Sequence, residues 1–197
     1  MEHYYSENQK SLLKIKKISR KIRGKYFDFC TASGTFSKGR IDRGTLLLAE
    51  NMIVGKNSKI LDIGCGMGIL GIAAAKLFNA DAVMSDVNKR AVMLAKKNAE
   101  LNNVKAGIYQ GNLYENIKGN DFDVVLSNPP QNAGKEICFQ LIAQSRNHLK
   151  NLGSLQLVAR NSKGGKTLSR KMNEVFGNLK VIAKKSGYWV YLSVKEA

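Results

Sequence analysis

Three short stretches of this sequence carry residue types and spacings that could do chemistry. Asp62-Ile63-Gly64-Cys65-Gly66-Met67-Gly68 places an acid directly before three glycines at alternate positions. Glycines there let the backbone turn tightly and leave room for a ligand to lie against the chain. The same stretch contains Gly66-x-Gly68-x-x-Gly71, the spacing of a dinucleotide-binding turn. Asp62 argues against that second use, since a pyrophosphate would meet like charge where a cationic or amine-bearing ligand would meet a counter-charge. Further along, Asp86 closes Val83-Met84-Ser85-Asp86-Val87, a place from which one carboxylate can grip both hydroxyls of a ribose. The third stretch is Ser127-Asn128-Pro129-Pro130. Proline removes a backbone donor and biases the residue before it to an extended conformation, so Asn128 is held stiffly. The Asn128 side-chain oxygen and the Pro129 carbonyl then form two acceptors converging on one point. That suits an exocyclic amino group: accepting both N–H hydrogens localises electron density on its nitrogen. Alignment and preorganised acceptors, rather than a strong base, would supply the rate.

These residues need a scaffold, and the apolar pattern supplies one. From Ser58 onward, short apolar runs alternate with longer amphipathic stretches. Strands are expected at 59–63, 80–85, 106–109, 122–127, 153–160, 178–184 and 188–194, with helices near 68–77, 88–102, 134–149 and 164–176. The alternation argues an α/β fold, a Rossmann-like, seven-stranded, mostly parallel, doubly wound sheet. The last two strands are separated only by the turn around Ser186-Gly187, too short for a crossover, so they form a C-terminal antiparallel hairpin. Upstream, Leu12, Leu13, Ile15, Ile18 and Ile22 suit one face of an amphipathic helix over residues 9–23, with lysine and arginine opposite. Lys25 to Cys30 alternates like a strand, Ala32-Ser33-Gly34 turns into another around Phe36, and Asp42 can cap a helix carrying Leu46, Leu47, Leu48 and Met52. The expected organisation is a basic N-terminal helical extension, residues 1–32, followed by one domain, 33–197.

With these stretches in this order, the chain resembles the class I S-adenosylmethionine-dependent methyltransferases, from about residue 33 to the end. Asp62-x-Gly64-x-Gly66-x-Gly68 matches their first motif and Asp86 the acid of their second. The resemblance implies S-adenosyl-L-methionine as cofactor, with Gly64 and Gly66 against its methionine portion, Asp62 near its amino group and Asp86 on its ribose. Val87, Asn112 and Leu113 complete the implied cofactor set. Asn112 stands where many relatives have Asp. Asn128-Pro129-Pro130 resembles the Asn-Pro-Pro-aromatic motif of amino-group methyltransferases, with Gln131 in place of the aromatic. Phe36, Tyr188 and Trp189 are the rings that could replace it. The segment Ser33 to Leu48, with Asn88 to Asn98 and Asn102, resembles RsmC/RlmG-type ribosomal RNA guanine-N2 methyltransferases, the small-methyltransferase group. This implies that Phe36, Asp42 and Thr45 border the cofactor pocket and that Asn128 touches both cofactor and target.

Composition bears on the partner. The 197 residues carry 32 Lys+Arg against 15 Asp+Glu, a net charge of +17, which points to a polyanion. Residues 10–25 hold eight cations and no acid, and 137–173 hold seven more, again without acid. Lys14, Lys16, Lys17, Lys21 and Arg23 are the RNA-binding candidates. Two histidines and three cysteines without ligand spacing leave no material for a zinc site or a Ser-His-Asp triad. No apolar run approaches the roughly 18 residues of a membrane helix, and no apolar leader opens the chain. A reduced, cytoplasmic protein without a membrane partner is therefore expected. The leading expectation is N-methylation of an exocyclic amine in RNA, guanine N2 of rRNA above all. Protein glutamine-N5 methylation explains Asn128 equally well but not the charge. DNA adenine methylation lacks a target-recognition segment, a non-catalytic RNA-binding module is at odds with the intact Asp62, Asp86 and Asn128, and a nicotinamide oxidoreductase lacks a catalytic acid or base.

Overall fold

The computed structural model describes residues 14–32, 40–130 and 134–196. Seven strands form one sheet: β3 (Lys59–Ile63), β4 (Asp81–Asp86), β5 (Ala106–Gln110), β6 (Phe122–Ser127), β7 (Leu149–Arg160), β8 (Lys180–Lys185) and β9 (Tyr188–Val194). Their order is β5-β4-β3-β6-β7-β9-β8. Pairings from β5 through β7 are parallel, whereas β9 is antiparallel to both β7 and β8. The expected fold is therefore observed, with one refinement. The terminal hairpin does not simply extend the edge: β9 slots between β7 and β8, and β8 becomes the edge strand.

Helices cover both faces. On one lie α1 (Arg43–Asn51), α2 (Ile69–Phe78) and α3 (Lys89–Leu101), burying Leu48, Ile72 and Leu94 against Ile60, Met84 and Val124. On the other, α4 (Lys135–His148) and α5 (Lys166–Phe176) bury Leu141, Ile142 and Met172 against Leu61, Val125 and Leu157. Adjacent residues of β3 and β6 thus serve opposite cores, as the two-residue period of a strand requires. Parallel order carries every strand-to-helix turn to the same end of the sheet, and the crevice there opens between β3 and β6, where the order reverses.

The N-terminal region departs from expectation. Ile15–Ile22 is a strand, β1, paired antiparallel with β2 (Lys25–Ala32). Residues 9–13 of the expected helix, and the turn and strand expected around Phe36, lie outside the described residues. Ile18 and Ile22, four apart, fall on one face in a helix and on one face in a strand, so their spacing does not separate the two. The turn decides: Arg23 and Gly24 both take positive φ, 44° and 81°, the pairing that closes a tight two-residue hairpin. Nor is this hairpin an appendage at the domain border. Ile22, Phe27, Phe29 and Cys30 belong to the same core as α1–α3.

Two asparagines lock it there. Asn98 accepts from the Cys30 amide (2.6 Å) and donates to the Cys30 and Met67 carbonyls (3.0 and 2.9 Å). One turn along α3, Asn102 accepts from the Asp28 amide (3.2 Å) and donates to the Asp28 carbonyl (2.7 Å). Alternate residues of a strand point their amides and carbonyls to the same edge, and residues four apart on a helix share a face. Two primary amides therefore stand in for a neighbouring strand. Asn98→Ala leaves three buried polar groups without partners, so a loss of about 2–4 kcal/mol is expected in urea unfolding.

Candidate active site

The cleft is built from strand ends. Its floor is the β3–α2 turn, where Gly64, Gly66 and Gly68 have φ of 68°, 56° and 84°. Those angles favour glycine over any L side chain. A Cβ at Gly64 or Gly66 would project into open space, so the missing side chains leave the floor bare. Gly71 has a different reason: a Cβ there would lie 2.5 Å from the Met84 sulfur, so its role is to let α2 pack on β4.

Two carboxylates line this floor. Asp62, 1% exposed, accepts from the Gly71 amide at 3.0 Å through Oδ2, while Oδ1 is buried without a hydrogen bond. Gly71 lies in the first turn of α2, so Asp62 occupies the helix terminus that a pyrophosphate would need. Asp86 accepts from the Gly66 amide (2.7 Å) and the Asn88 amide (2.9 Å), which fixes its plane. Neither forms an ion pair with a Lys or Arg among the described residues. Burial pushes the Asp62 carboxyl up to about 7; the Gly71 hydrogen bond opposes the shift and the charge of Asp86 adds to it. Burial likewise raises Asp86, against its two backbone hydrogen bonds. Burial thus penalises the charge on both carboxyls, a penalty that a cationic ligand would relieve, and leaves one buried acceptor unused. A ligand carrying a sulfonium, an ammonium and a ribose diol, as S-adenosylmethionine does, answers all of these features.

The wall opposite the glycines is the end of β6. Asn128 donates to Asp42 Oδ2 (3.0 Å) and Thr45 Oγ1 (2.8 Å). An ionised carboxylate only accepts, so it dictates which end of the amide faces it. The Asn128 side-chain oxygen is left as the acceptor. Asp42 is held in turn as the cap of α1: its Oδ2 accepts from the Gly44 and Thr45 amides at 2.8 and 3.1 Å. Its Oδ1 accepts from the Tyr188 hydroxyl of β9 at 3.4 Å. Gly44 has no room for more, since a Cβ would lie 2.8 Å from both Asp42 Oδ2 and the Tyr188 ring.

The cleft brings together Thr45, Asp62, Gly64, Gly66, Asp86, Val87, Asn112, Leu113, Asn128 and Pro130, with Asp42 beside them. Pro129 is buried next to the lining. Asn112 and Leu113 sit where Gly111 donates to the Asp86 carbonyl (3.1 Å) and Leu113 takes a positive φ of 50°. Ile41, Leu70, Ser85, Ile137 and Leu141 also line the cleft and were not foreseen. The last two come from α4, one turn apart on its apolar stripe, where nothing distinguishes a pocket wall from ordinary core. Phe36 and Gln131 fall outside the described residues, and Trp189 packs against the α4–α5 core instead. The RNA-binding candidates are not all available. Arg23 donates to the Glu50 and Met52 carbonyls at 2.9 and 2.8 Å, fastening the hairpin turn to α1, and Lys17 pairs with Asp28 at 2.9 Å. No group of three His, Cys, Asp or Glu residues that could hold a metal occurs among the described residues. No described helix is long and apolar enough to cross a membrane.

A Rossmann-like sheet with an inserted antiparallel strand, a glycine turn and paired strand-end acids defines the methyltransferase class of α/β proteins. Residues 26–192 match the family described as methyltransferase small domain, and the chain belongs to that family. It is 36% identical to the uncharacterized protein YbxB of Bacillus subtilis over 98% of both chains. It is 40% identical to ribosomal RNA small subunit methyltransferase C of Pseudoalteromonas atlantica, over 68% of this chain but only 40% of that one. A putative protein N5-glutamine methyltransferase of Methanocaldococcus jannaschii is 32% identical over 71% of this chain and 81% of its own. In structure, the Thermus thermophilus 16S rRNA N2 G1207 methyltransferase RsmC superposes with a TM-score of 0.85 at 24% identity. That match covers 96% of this chain and 52% of RsmC.

The buried acid leads to a pH-dependent prediction. Unfolded Asp62 titrates near 4 and folded Asp62 near 7, so stability falls as pH rises across that interval, where only the unfolded chain has released the proton. Asp62→Asn removes the penalty. At pH 8 the variant should unfold later in urea by about 1–3 kcal/mol, and at pH 4 the gain should vanish.

Proposed function

We propose that this methyltransferase transfers a methyl group to an exocyclic amino nitrogen of RNA, with guanine N2 of ribosomal RNA as the favoured target. The observation that carries the amine assignment is the orientation of Asn128. Its NH2 is consumed by Asp42 and Thr45, so the group offered to a substrate is an acceptor, and an acceptor selects a nitrogen that bears hydrogens.

S-adenosylmethionine supplies an electrophilic methyl group on a sulfonium sulfur. The residues of this chain do the rest. Asp62 and Asp86 would hold the donor by its ammonium and ribose, and the bare turn at Gly64 and Gly66 would leave it room. Asn128 Oδ1 and the Pro129 carbonyl accept the two N–H hydrogens of the target amine. The nitrogen lone pair, otherwise delocalised into the base, is then directed at the methyl group. Asp42 strengthens this acceptor: a carboxylate against the NH2 of an amide favours the resonance form with more negative charge on the amide oxygen. A general base is unnecessary in the approach, because the nitrogen becomes acidic once the new bond forms and can release its proton to water.

RNA is favoured over protein by the +17 charge, and the relatives named as ribosomal RNA methyltransferases support it. The second reading, glutamine-N5 methylation, has the archaeal relative in its favour, and Asn128 serves a carboxamide nitrogen as readily. Labelled S-adenosylmethionine offered to rRNA, tRNA, DNA and ribosomal proteins separately, with the methylated residue mapped by mass spectrometry, decides between them. Label in guanine N2 supports the first reading; label confined to a glutamine of a protein replaces it.

Two variants test the mechanism under either reading. Asn128→Ala should slow methyl transfer about 100- to 1,000-fold in single-turnover assays, with donor affinity by calorimetry nearly unchanged. Asp86→Ala should do the reverse first, weakening donor binding by about 1–3 kcal/mol.

A further inference from the structure

We propose that the phosphates next to the target nucleotide are received by a cationic rim at the open end of β7, β9 and β8, made by Arg43, Arg160 and Lys185, and not by the N-terminal hairpin. This rests on the RNA reading above. The β-ladder places the rim: Arg160 pairs with Tyr188, and Tyr188 with Lys185. Directly paired residues of adjacent strands project to the same face, and for Tyr188 that face is the one occupied by α1, since its ring abuts Gly44. Arg43, the first residue of α1, is exposed beside it, and Arg43 and Arg160 both act electrostatically on the Tyr188 hydroxyl. The Arg160 guanidinium lies 5.6 Å from the centre of the Tyr188 ring, so it is held in place without being neutralised.

The rim is also connected to the chemistry. From Arg160 the contacts run through Tyr188 and its hydroxyl to Asp42, and from Asp42 to the Asn128 amide. A base whose amine reaches Asn128 must carry its sugar and phosphates past this wall or the opposite one. The charge favours this wall. Arg43, Arg160 and Lys185 form no ion pair among the described residues, and the following turn adds exposed Lys163 within a stretch, 137–173, that contains no acid. That turn is fixed at the same end by the Asn161 amide, which donates to the Gly187 carbonyl at 2.9 Å. Cations interleaved with an aromatic ring are the surface that tracks a single-stranded backbone. The hairpin also keeps exposed cations, Lys16, Arg20, Lys21 and Lys25, but Arg23 and Lys17 are engaged as described and none of its described residues lines the cleft.

The test is a salt titration of binding to a short labelled single-stranded RNA of mixed sequence. The protein as it stands is compared with Arg43→Gln/Arg160→Gln/Lys185→Gln and with a hairpin variant, Lys16→Gln/Lys21→Gln. Each phosphate that is no longer neutralised lowers the log–log slope by about 0.7. The rim variant should therefore show a slope smaller by about 2, the hairpin variant should match the unaltered protein, and S-adenosylmethionine affinity should stay the same in both. An unchanged slope in the rim variant, or a reduction confined to the hairpin variant, overturns the rim while leaving RNA as the partner. A slope near zero for the unaltered protein overturns the RNA reading and the rim with it.

Discussion

Two carboxylates buried in one cleft, with no basic side chain among the described residues to neutralise them, are the constraint around which the rest is arranged. Desolvating a charge is costly, and the fold meets that cost with backbone amides: Gly71 for Asp62, Gly66 and Asn88 for Asp86. Two of these amides belong to the glycine turn and helix that the carboxylates border, and the third opens α3. The turn is therefore shaped by the acids as much as it exposes them. Backbone dipoles orient the oxygens but do not cancel the charge, so the potential remains for a cationic ligand.

Asp42 plays the complementary part on the opposite wall. Through one side chain it caps α1, turns the Asn128 amide and meets Tyr188 from the last strand. The last two join segments 86 and 146 positions apart in sequence, and all three converge beside the atom that faces the substrate. The acceptor in the site is thus set by the whole domain closing, rather than by the rigidity of its own loop alone. The two prolines stiffen the backbone; they do not choose which end of the asparagine points inward.

Much of this could be read from the residues. The seven strands follow from apolar runs of strand length separated by helix-length amphipathic stretches, and the terminal hairpin follows from a linker too short for a crossover. The acids and glycines were legible because their spacing is local. The N-terminal hairpin was not, because isoleucines four apart satisfy both periodicities and the positive φ of Arg23 leaves no mark in a composition window. The insertion of β9 between β7 and β8, and the bond from Asp42 to Asn128 across 86 positions, are tertiary facts that no local pattern contains. Ile137 and Leu141 could not be separated from core for the same reason.

The asparagine pair on α3 fixes the length of helix between its two members. Asn98 and Asn102 read the edge of β2 as a template with fixed spacing, two strand residues against four helical ones. Inserting or deleting a single residue between them would swing one amide about 100° around the helix axis, away from the edge it serves. The glycine turn would feel the change as well, since Asn98 also bonds the Met67 carbonyl. This one turn of helix therefore tolerates no change of length without giving up one of its two grips on β2.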